Sequence, residues 1–63
     1  MSYQRLIKVP LNDAKVFSLR KYGSGAFWIR GKFVPETREF ICRNVKNGRI
    51  KSLWAGTAVY VMP

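Results

Sequence analysis

The chain has no histidine, one cysteine and only three acidic residues among its 63 positions. Without histidine, and with a single thiol, it cannot build the usual cysteine and histidine zinc sites. The lone Cys42 also excludes a disulfide within the chain. The acids Asp13, Glu36 and Glu39 lie at or beside predicted turns, so paired carboxylates for hydrolysis or two-metal chemistry are lacking. We therefore expect no metal, no cofactor and no enzymatic activity.

Long apolar runs and phosphate-binding loops are lacking as well. No stretch approaches the roughly 20 apolar residues of a membrane span, and the N-terminal MSYQRLIKVP has no apolar run of signal-peptide length. Gly23-Ser24-Gly25 is not followed by the Lys-Ser/Thr and helix of a P-loop. We expect a cytoplasmic protein with no membrane partner, and an unpaired Cys42 fits a reducing compartment. The enzymatic alternative that stays open is a nuclease using Tyr22, Arg30 or Arg43.

Positive charge is what the chain has in excess. Twelve lysines and arginines against three acids give a formal net charge of +9. Such an excess destabilises a compact chain through self-repulsion, which a polyanionic partner would relieve. The length predicts a single domain over residues 1–63, with a marginal core, because a chain this short buries only about 60% of its unfolded surface. The hydrophobic fraction of 48% nevertheless excludes a disordered tail.

Short apolar runs punctuated by glycine and proline predict an all-β fold. The runs are rich in Val, Ile, Phe, Tyr and Trp, which favour strands. We predict a small antiparallel meander of five or six strands, either a curled sheet or an SH3-like or OB-like barrel. Tyr3–Val9 and Thr57–Met62 are its predicted outer strands. Residues 11–22 stay open between a strand, favoured for Val16–Arg20, and a short helix capped by Asn12 or Asp13.

Three turns fix the predicted register. Asn47-Gly48 favours a two-residue type I′ hairpin, since both residues tolerate positive φ. Pro35 suits the first central position of a type I turn, and Gly23-Ser24-Gly25 marks a third hairpin. Together the turns pair Val45 with Ile50, Arg43 with Ser52, Cys42 with Leu53, Phe33 with Phe40, Arg20 with Trp28, and Leu19 with Ile29.

Because side chains alternate along a strand, this register divides the sheet into two faces. We expect Cys42 to be an inert thiol on the core face. The other face combines cations with aromatic and aliphatic residues, some of which the terminal strands or a partner subunit would cover. The predicted core is Phe17, Leu19, Phe27, Ile29, Phe33, Phe40, Cys42 and Leu53, and the opposite face is Arg20, Tyr22, Trp28, Arg30, Lys32, Ile41, Arg43, Val45 and Trp54.

The basic and aromatic face predicts a nucleic-acid-binding protein. Cations contact phosphates and exposed aromatic rings stack on bases. DNA or RNA, single or double strands, and a homo-oligomer all stay open. The alternative is a compact inhibitor or adaptor that docks on an acidic protein surface, with its aromatic and arginine residues as anchors. The predicted binding residues are Arg20, Trp28, Arg30, Lys32, Arg43, Lys46, Arg49 and Lys51.

Overall fold

A computed structural model describes residues 5–21 and 26–63 and confirms the all-β prediction. Six antiparallel strands form one sheet in the order β1-β6-β2-β3-β4-β5. Since β1 and β5 end the sheet, it is a curled sheet and not a closed barrel. Its elements are β1 (Ile7–Pro10), a 3-10 helix (Leu11–Asp13), β2 (Val16–Ser18), β3 (Phe27–Val34), β4 (Glu39–Asn44), β5 (Ile50–Trp54) and β6 (Ala58–Val61).

The hydrophobic core lies against one side of the sheet, which we call the inner face. It is covered by the connection between β1 and β2, where the N–H groups of Leu11 and Asn12 donate to the carbonyls of Thr57 and Ala55 at 2.8 and 3.0 Å. The predicted core residues Phe17, Phe40 and Cys42 are confirmed, and Leu19 and Leu53 pack at its margin. Four further hydrophobic residues of the described chain are buried and were not predicted, namely Leu6, Leu11, Ala14 and Val59.

In the described part of the segment over residues 11–22 the strand forms, whereas the helix capped by Asn12 or Asp13 does not, because both residues lie inside a 3-10 turn over Leu11–Asp13. A single 3-10 turn comes first, and a strand then begins at Val16. This strand ends at Ser18, earlier than predicted, because the Ser18 hydroxyl accepts a hydrogen bond from the Arg20 N–H at 3.1 Å. Such a side-chain bond to the backbone diverts the chain from the ladder.

The early end of β2 changes its register with β3. Phe17 pairs with Trp28 and Val16 with Ile29, so the predicted pairs of Arg20 with Trp28 and Leu19 with Ile29 are wrong by three residues. An odd shift moves side chains to the opposite face. The Gly23-Ser24-Gly25 turn itself lies outside the described residues.

The hairpin at Pro35 forms in the predicted register. Val34 pairs with Glu39 and Phe33 with Phe40, whose ring centroids lie 5.0 Å apart. Phe40 is buried, whereas Phe33 is 40% exposed. The two phenylalanines are therefore neighbours as predicted, but Phe33 lies at the margin of the core.

A bulge in β3 reverses the predicted faces beyond this hairpin. Phe33 pairs with Phe40, yet Arg30 pairs with Cys42, so Gly31 and Lys32 both oppose Ile41. Glycine is required here because a Cβ on Gly31 would collide with the Ile41 carbonyl oxygen. The predicted burial of Ile29 and the predicted position of Arg30 on the face opposite the core are consequently wrong. Arg43 pairs with Ile29 on the side away from the core, and Arg30 pairs with the buried Cys42.

The turn between β4 and β5 is longer than predicted. Arg43 pairs with Ile50, not with Ser52, and Cys42 with Lys51, not with Leu53. The cause is Asn44, whose Oδ1 accepts the N–H groups of Lys46 and Asn47 at 2.8 and 3.1 Å and starts the turn early. Gly48 alone in this loop has positive φ, at 74°, so the type I′ turn is wrong. The shift is two residues, which preserves the faces.

The terminal strands pair with each other. Ile7 lies opposite Val61 and Val9 opposite Val59. As predicted, β1 is an outer strand, but β6 lies between β1 and β2, and the second outer strand is β5. Tyr3 and its neighbours at positions 1–4 lie outside the described residues.

Candidate functional site

The structure separates the predicted binding residues instead of gathering them on one face. Trp28 and Arg30 lie on the inner face, through their pairing with Asn44 and Cys42. Arg43 lies on the opposite side, and so does Lys32, which the bulge places opposite Ile41. The remaining four are exposed at the rim: Arg20 follows β2, Lys46 and Arg49 belong to the β4–β5 turn, and Lys51 lies on β5.

Arg30 holds the chain together over the core. Its Nη1 donates to the carbonyl oxygens of Leu11 at 3.3 Å and Asn12 at 2.6 Å. Its guanidinium carbon also lies 4.8 Å from the centre of the Phe40 ring. Both contacts engage the guanidinium within the protein, so Arg30 fastens the 3-10 helix to the inner face.

Trp28 packs at the margin of the core. It is half-buried, pairs with Phe17 and packs against the core cluster. Its position on β3 follows from the bulge at Gly31 and from the register of β2. Part of the Trp28 ring is therefore covered by the protein itself.

The outer face, defined as the side of β2–β5 away from the core, carries a row of four paired residues. Val16, Ile29, Arg43 and Ile50 follow one another across the four strands. Val16 and Ile50 are 48% and 63% exposed, and Arg43 is exposed between Ile29 and Ile50. Arg43 therefore extends from an apolar surface, with aliphatic neighbours on both adjoining strands.

Trp54 is the exposed aromatic ring of the outer face. It pairs with Glu39 on β4, and 59% of its surface is exposed. The indole lies directly over Gly56, where an added Cβ would come within 2.5 Å of two ring atoms. The glycine thus provides the space that lets the ring rest against the backbone. Contact with the backbone restricts the rotation of the ring and makes it an ordered platform. Less side-chain entropy is therefore lost when a ligand binds to it.

The β4–β5 turn presents cations from an ordered backbone at the Arg43 end of the outer face, at the other end of β5 from Trp54. The Asn44 side chain accepts two backbone N–H groups of the turn, and the Arg49 N–H donates to Asn47 Oδ1 at 2.9 Å. The side chains of Lys46 and Arg49 are exposed at the tip. These hydrogen bonds fix where the two cations leave the main chain.

The sequence did not identify Trp54 as a binding residue, although it placed the ring on the correct face. Its exposure depends on which strand ends the sheet, and no local pattern reports that. The signal that was available is Gly56, two residues later, because a glycine beside an aromatic residue permits close packing of the ring.

Cys42 is buried as expected, with no exposed surface. Burial raises the pKa of the Cys42 thiol, and the Gly31 backbone and the Arg30 guanidinium offset that rise only in part. Thiol reagents attack the thiolate, so both burial and the raised pKa protect the native protein.

We expect Cys42 in the native protein to react with a disulfide reagent at least about tenfold more slowly than in the denaturant-unfolded chain. Stability should also fall as the pH rises above the ordinary thiol pKa, because the unfolded chain then loses its proton first. The reaction of Cys42 releases a thiol from the reagent, and its release is followed over time at pH 8 with and without denaturant. The ratio of the two rates measures the protection. Equal rates would show an accessible and reactive thiol.

The described residues contain no cluster of three or more potential metal ligands. Within the same part of the chain, no helix has the length and apolar character needed to cross a bilayer. Comparison with protein-family models, curated proteins and solved structures finds no match to this chain. No resemblance to a known protein therefore assigns a function to the candidate site, and only its geometry indicates one.

Proposed function

We propose that this protein is a non-enzymatic, cytoplasmic protein that binds single-stranded nucleic acid on its outer face. The observation that carries the proposal is the exposed Trp54 ring, ordered over Gly56, on the same face as Arg43 and Lys32. A stacking ring and cations for the phosphates are the two components of binding that does not depend on base sequence. The shape of the outer face also suits single-stranded nucleic acid, because the unstacked bases of a single-stranded oligonucleotide can lie against an open sheet face.

The charge distribution supports this orientation. Glu39 lies directly beside Trp54, so phosphates would be repelled there and a base would be tolerated. Arg43, two strand repeats along β4 on the same face, and Lys32, at the bulge opposite Ile41, are where phosphates would be attracted. Lys46 and Arg49 extend the positive surface at the adjacent turn. The rest of the +9 charge raises the rate of encounter with any polyanion.

Removing the two outer-face cations should weaken binding and flatten its dependence on salt. We expect Lys32→Ala with Arg43→Ala to lower the slope of log affinity against log salt by about 0.7 for each phosphate that the protein no longer neutralises. Fluorescence anisotropy with mixed-sequence DNA and RNA oligonucleotides over a salt series measures both quantities. Trp54→Ala should cost a further 1–3 kcal/mol or so, because a stacked base loses its platform.

The matched control is Lys8→Ala with Lys15→Ala, which removes the same charge. Lys8 lies on β1, four strands from β4 in the sheet, and Lys15 immediately precedes β2. We expect this variant to keep most of the affinity. Equal losses in the two double variants, with melting temperatures unchanged, would leave only diffuse attraction and reject the outer face as the binding site.

A specific observation favours a second candidate function. The outer face is aliphatic around Arg43, as the row of Val16, Ile29 and Ile50 shows. An arginine among aliphatic side chains suits a protein partner that offers a carboxylate within an apolar patch. Affinity for such a partner would persist at high salt, because its apolar part is not screened. Steep, log-linear loss of binding with salt, together with competition by unrelated oligonucleotides, would support nucleic acid instead.

A further inference from the structure

Among residues 5–21 and 26–63, no strand pairs with the outer edge of the end strand β5, and the polar groups of that edge can be assigned from the ladder. The Asn44 N–H donates to the Arg49 carbonyl at 2.8 Å and the Ala55 N–H to the Arg38 carbonyl at 2.9 Å. Because ladder bonds alternate along an antiparallel strand, the odd-numbered residues 49–55 bond toward β4. The backbone groups of Ile50, Ser52 and Trp54 therefore point away from the sheet, although the Trp54 carbonyl also accepts the Thr57 N–H.

This edge also has the features of a pairing strand. Ile50 and Trp54 are among the most exposed large hydrophobic residues of the described chain, and Ser52 between them is exposed as well. The opposite edge, β1, ends in Pro10, which has no N–H to offer. An uncovered strand with unpaired N–H and C=O groups is a template for a second strand.

We propose that β5 pairs antiparallel with β5 of a second copy of the chain, with the two Ser52 residues facing each other across a two-fold axis. In this register Ile50 lies opposite the partner's Trp54, and the reverse pair forms on the other side of the axis. It is the symmetric register that uses all three outward-pointing residues. It also places Lys51 opposite the partner's Leu53, which avoids two lysines facing each other.

A register centred on Lys51 would be disfavoured. The two lysines would then form a pair without ladder bonds, with Cα atoms only about 4.5 Å apart. Like charges directly opposite each other destabilise a sheet. About Ser52, the segment IKSLW pairs Ile50 with Trp54 and Lys51 with Leu53 of a second copy, so no like charges face each other. This match is the reason that we propose a second copy as the partner of this edge.

Pairing would complete the candidate site, a consequence that rests on the proposed function. Within one chain, Trp54 lies one strand over from Arg43 and four residues further along, about 13 Å in the strand direction. In the paired sheet the partner's Trp54 joins the row of Arg43 and Ile50, about 10 Å from Arg43, across two strand spacings. Each binding surface would then combine the cations of one copy with the ring of the other.

The free energy of this pairing is small. One five-residue strand buries much less than the 1,200–2,000 Å² or so of a stable interface. Two copies, each with a charge of +9, also repel each other. We therefore expect a weak dimer that strengthens at high salt and on an oligonucleotide long enough to contact both copies.

Disulfide trapping tests the register directly. Residues facing each other in a hydrogen-bonded pair have Cα atoms about 5.5 Å apart, which is within disulfide range. Ser52→Cys should thus form a covalent dimer at high salt at least about tenfold faster than Ile50→Cys, whose two copies lie four residues out of register. The native Cys42 is buried and contributes little background.

The trapping experiment tests the pairing of β5 separately from the proposed binding of nucleic acid. Equal trapping rates, or no covalent dimer from either protein, would overturn the pairing even if oligonucleotides bind. Rapid and selective trapping of Ser52→Cys in a protein that binds no oligonucleotide would establish the pairing and reject the function. As a second readout, Ser52→Pro should abolish association and Ser52→Ala should preserve it, because the Ser52 N–H points away from β4.

Discussion

Phe40→Ala is expected to destabilise the protein by about 3–5 kcal/mol. Phe40 is buried on β4, between β3 and the end strand β5, where it contacts the Phe33 ring and lies beneath the Arg30 guanidinium. Truncation removes the apolar area of the ring and leaves a cavity that neighbouring strands cannot close without distorting their ladders. A domain of 63 residues has only about 3–9 kcal/mol of stability in total. We therefore expect the variant to be largely unfolded at room temperature.

Circular dichroism and urea unfolding measure this effect, and Phe33→Ala is the matched control. Both substitutions remove a phenyl ring from the same pair, but Phe33 is 40% exposed. We expect Phe33→Ala to cost clearly less, about 1–2 kcal/mol, because much of its ring is already in contact with water. Equal costs for the two substitutions would contradict the position of Phe33 at the margin of the core.

The sequence predicts the parts of the fold that depend on local chemistry. Pro35 fixes the β3–β4 turn because its ring presets φ, and this turn in turn fixes the pair of Phe33 and Phe40. Alternation then correctly buries Phe40 and Cys42 on β4, and places Ile41 and Arg43 on the other side. The number of strands follows from the spacing of the turns and the β-branched and aromatic runs.

The faces of β3 could not be predicted by simple alternation. The bulge at Gly31 inserts one residue, so every residue from Arg30 back to Phe27 changes sides relative to Phe33. A glycine inside a strand is a known signal for a bulge, but whether it inserts a residue depends on the close approach of the Ile41 carbonyl. That approach is made across the sheet and leaves no mark in the local sequence.

The other two errors have side chains as their cause. Asn44 and Ser18 each accept backbone N–H groups two or three residues ahead, and each ends its strand earlier than the glycines suggest. The two-residue shift at Asn44 left the faces intact, whereas the three-residue shift at Ser18 helped to place Trp28 on the inner face. An even register shift keeps side chains on their faces and an odd shift reverses them. Of these two errors, only the one at Ser18 therefore changed the candidate site.

The reassignment of Arg30 from the binding surface to the inner face has a large expected consequence. Arg30→Ala should lower the free energy of unfolding by about 2–3 kcal/mol, because it removes charge-assisted bonds to the Leu11 and Asn12 carbonyls and the cation–π interaction with Phe40. The 3-10 helix that covers the core would lose its fastening to β3. Arg43→Ala, which removes the same charge from the outer face, should change stability by no more than about 0.5 kcal/mol.

Urea unfolding of the two variants under identical conditions separates these roles. Arg30→Lys provides a further control, because an ammonium group cannot reproduce the planar guanidinium that contacts both carbonyls while stacking on a ring. We expect it to recover only part of the stability that Arg30→Ala removes. If Arg30→Ala instead keeps wild-type stability and loses oligonucleotide binding, then Arg30 is free to reach a ligand and the inner face contributes to the binding site. If only Arg43→Ala weakens binding in a fully stable protein, the two arginines have the separate roles that their opposite faces indicate.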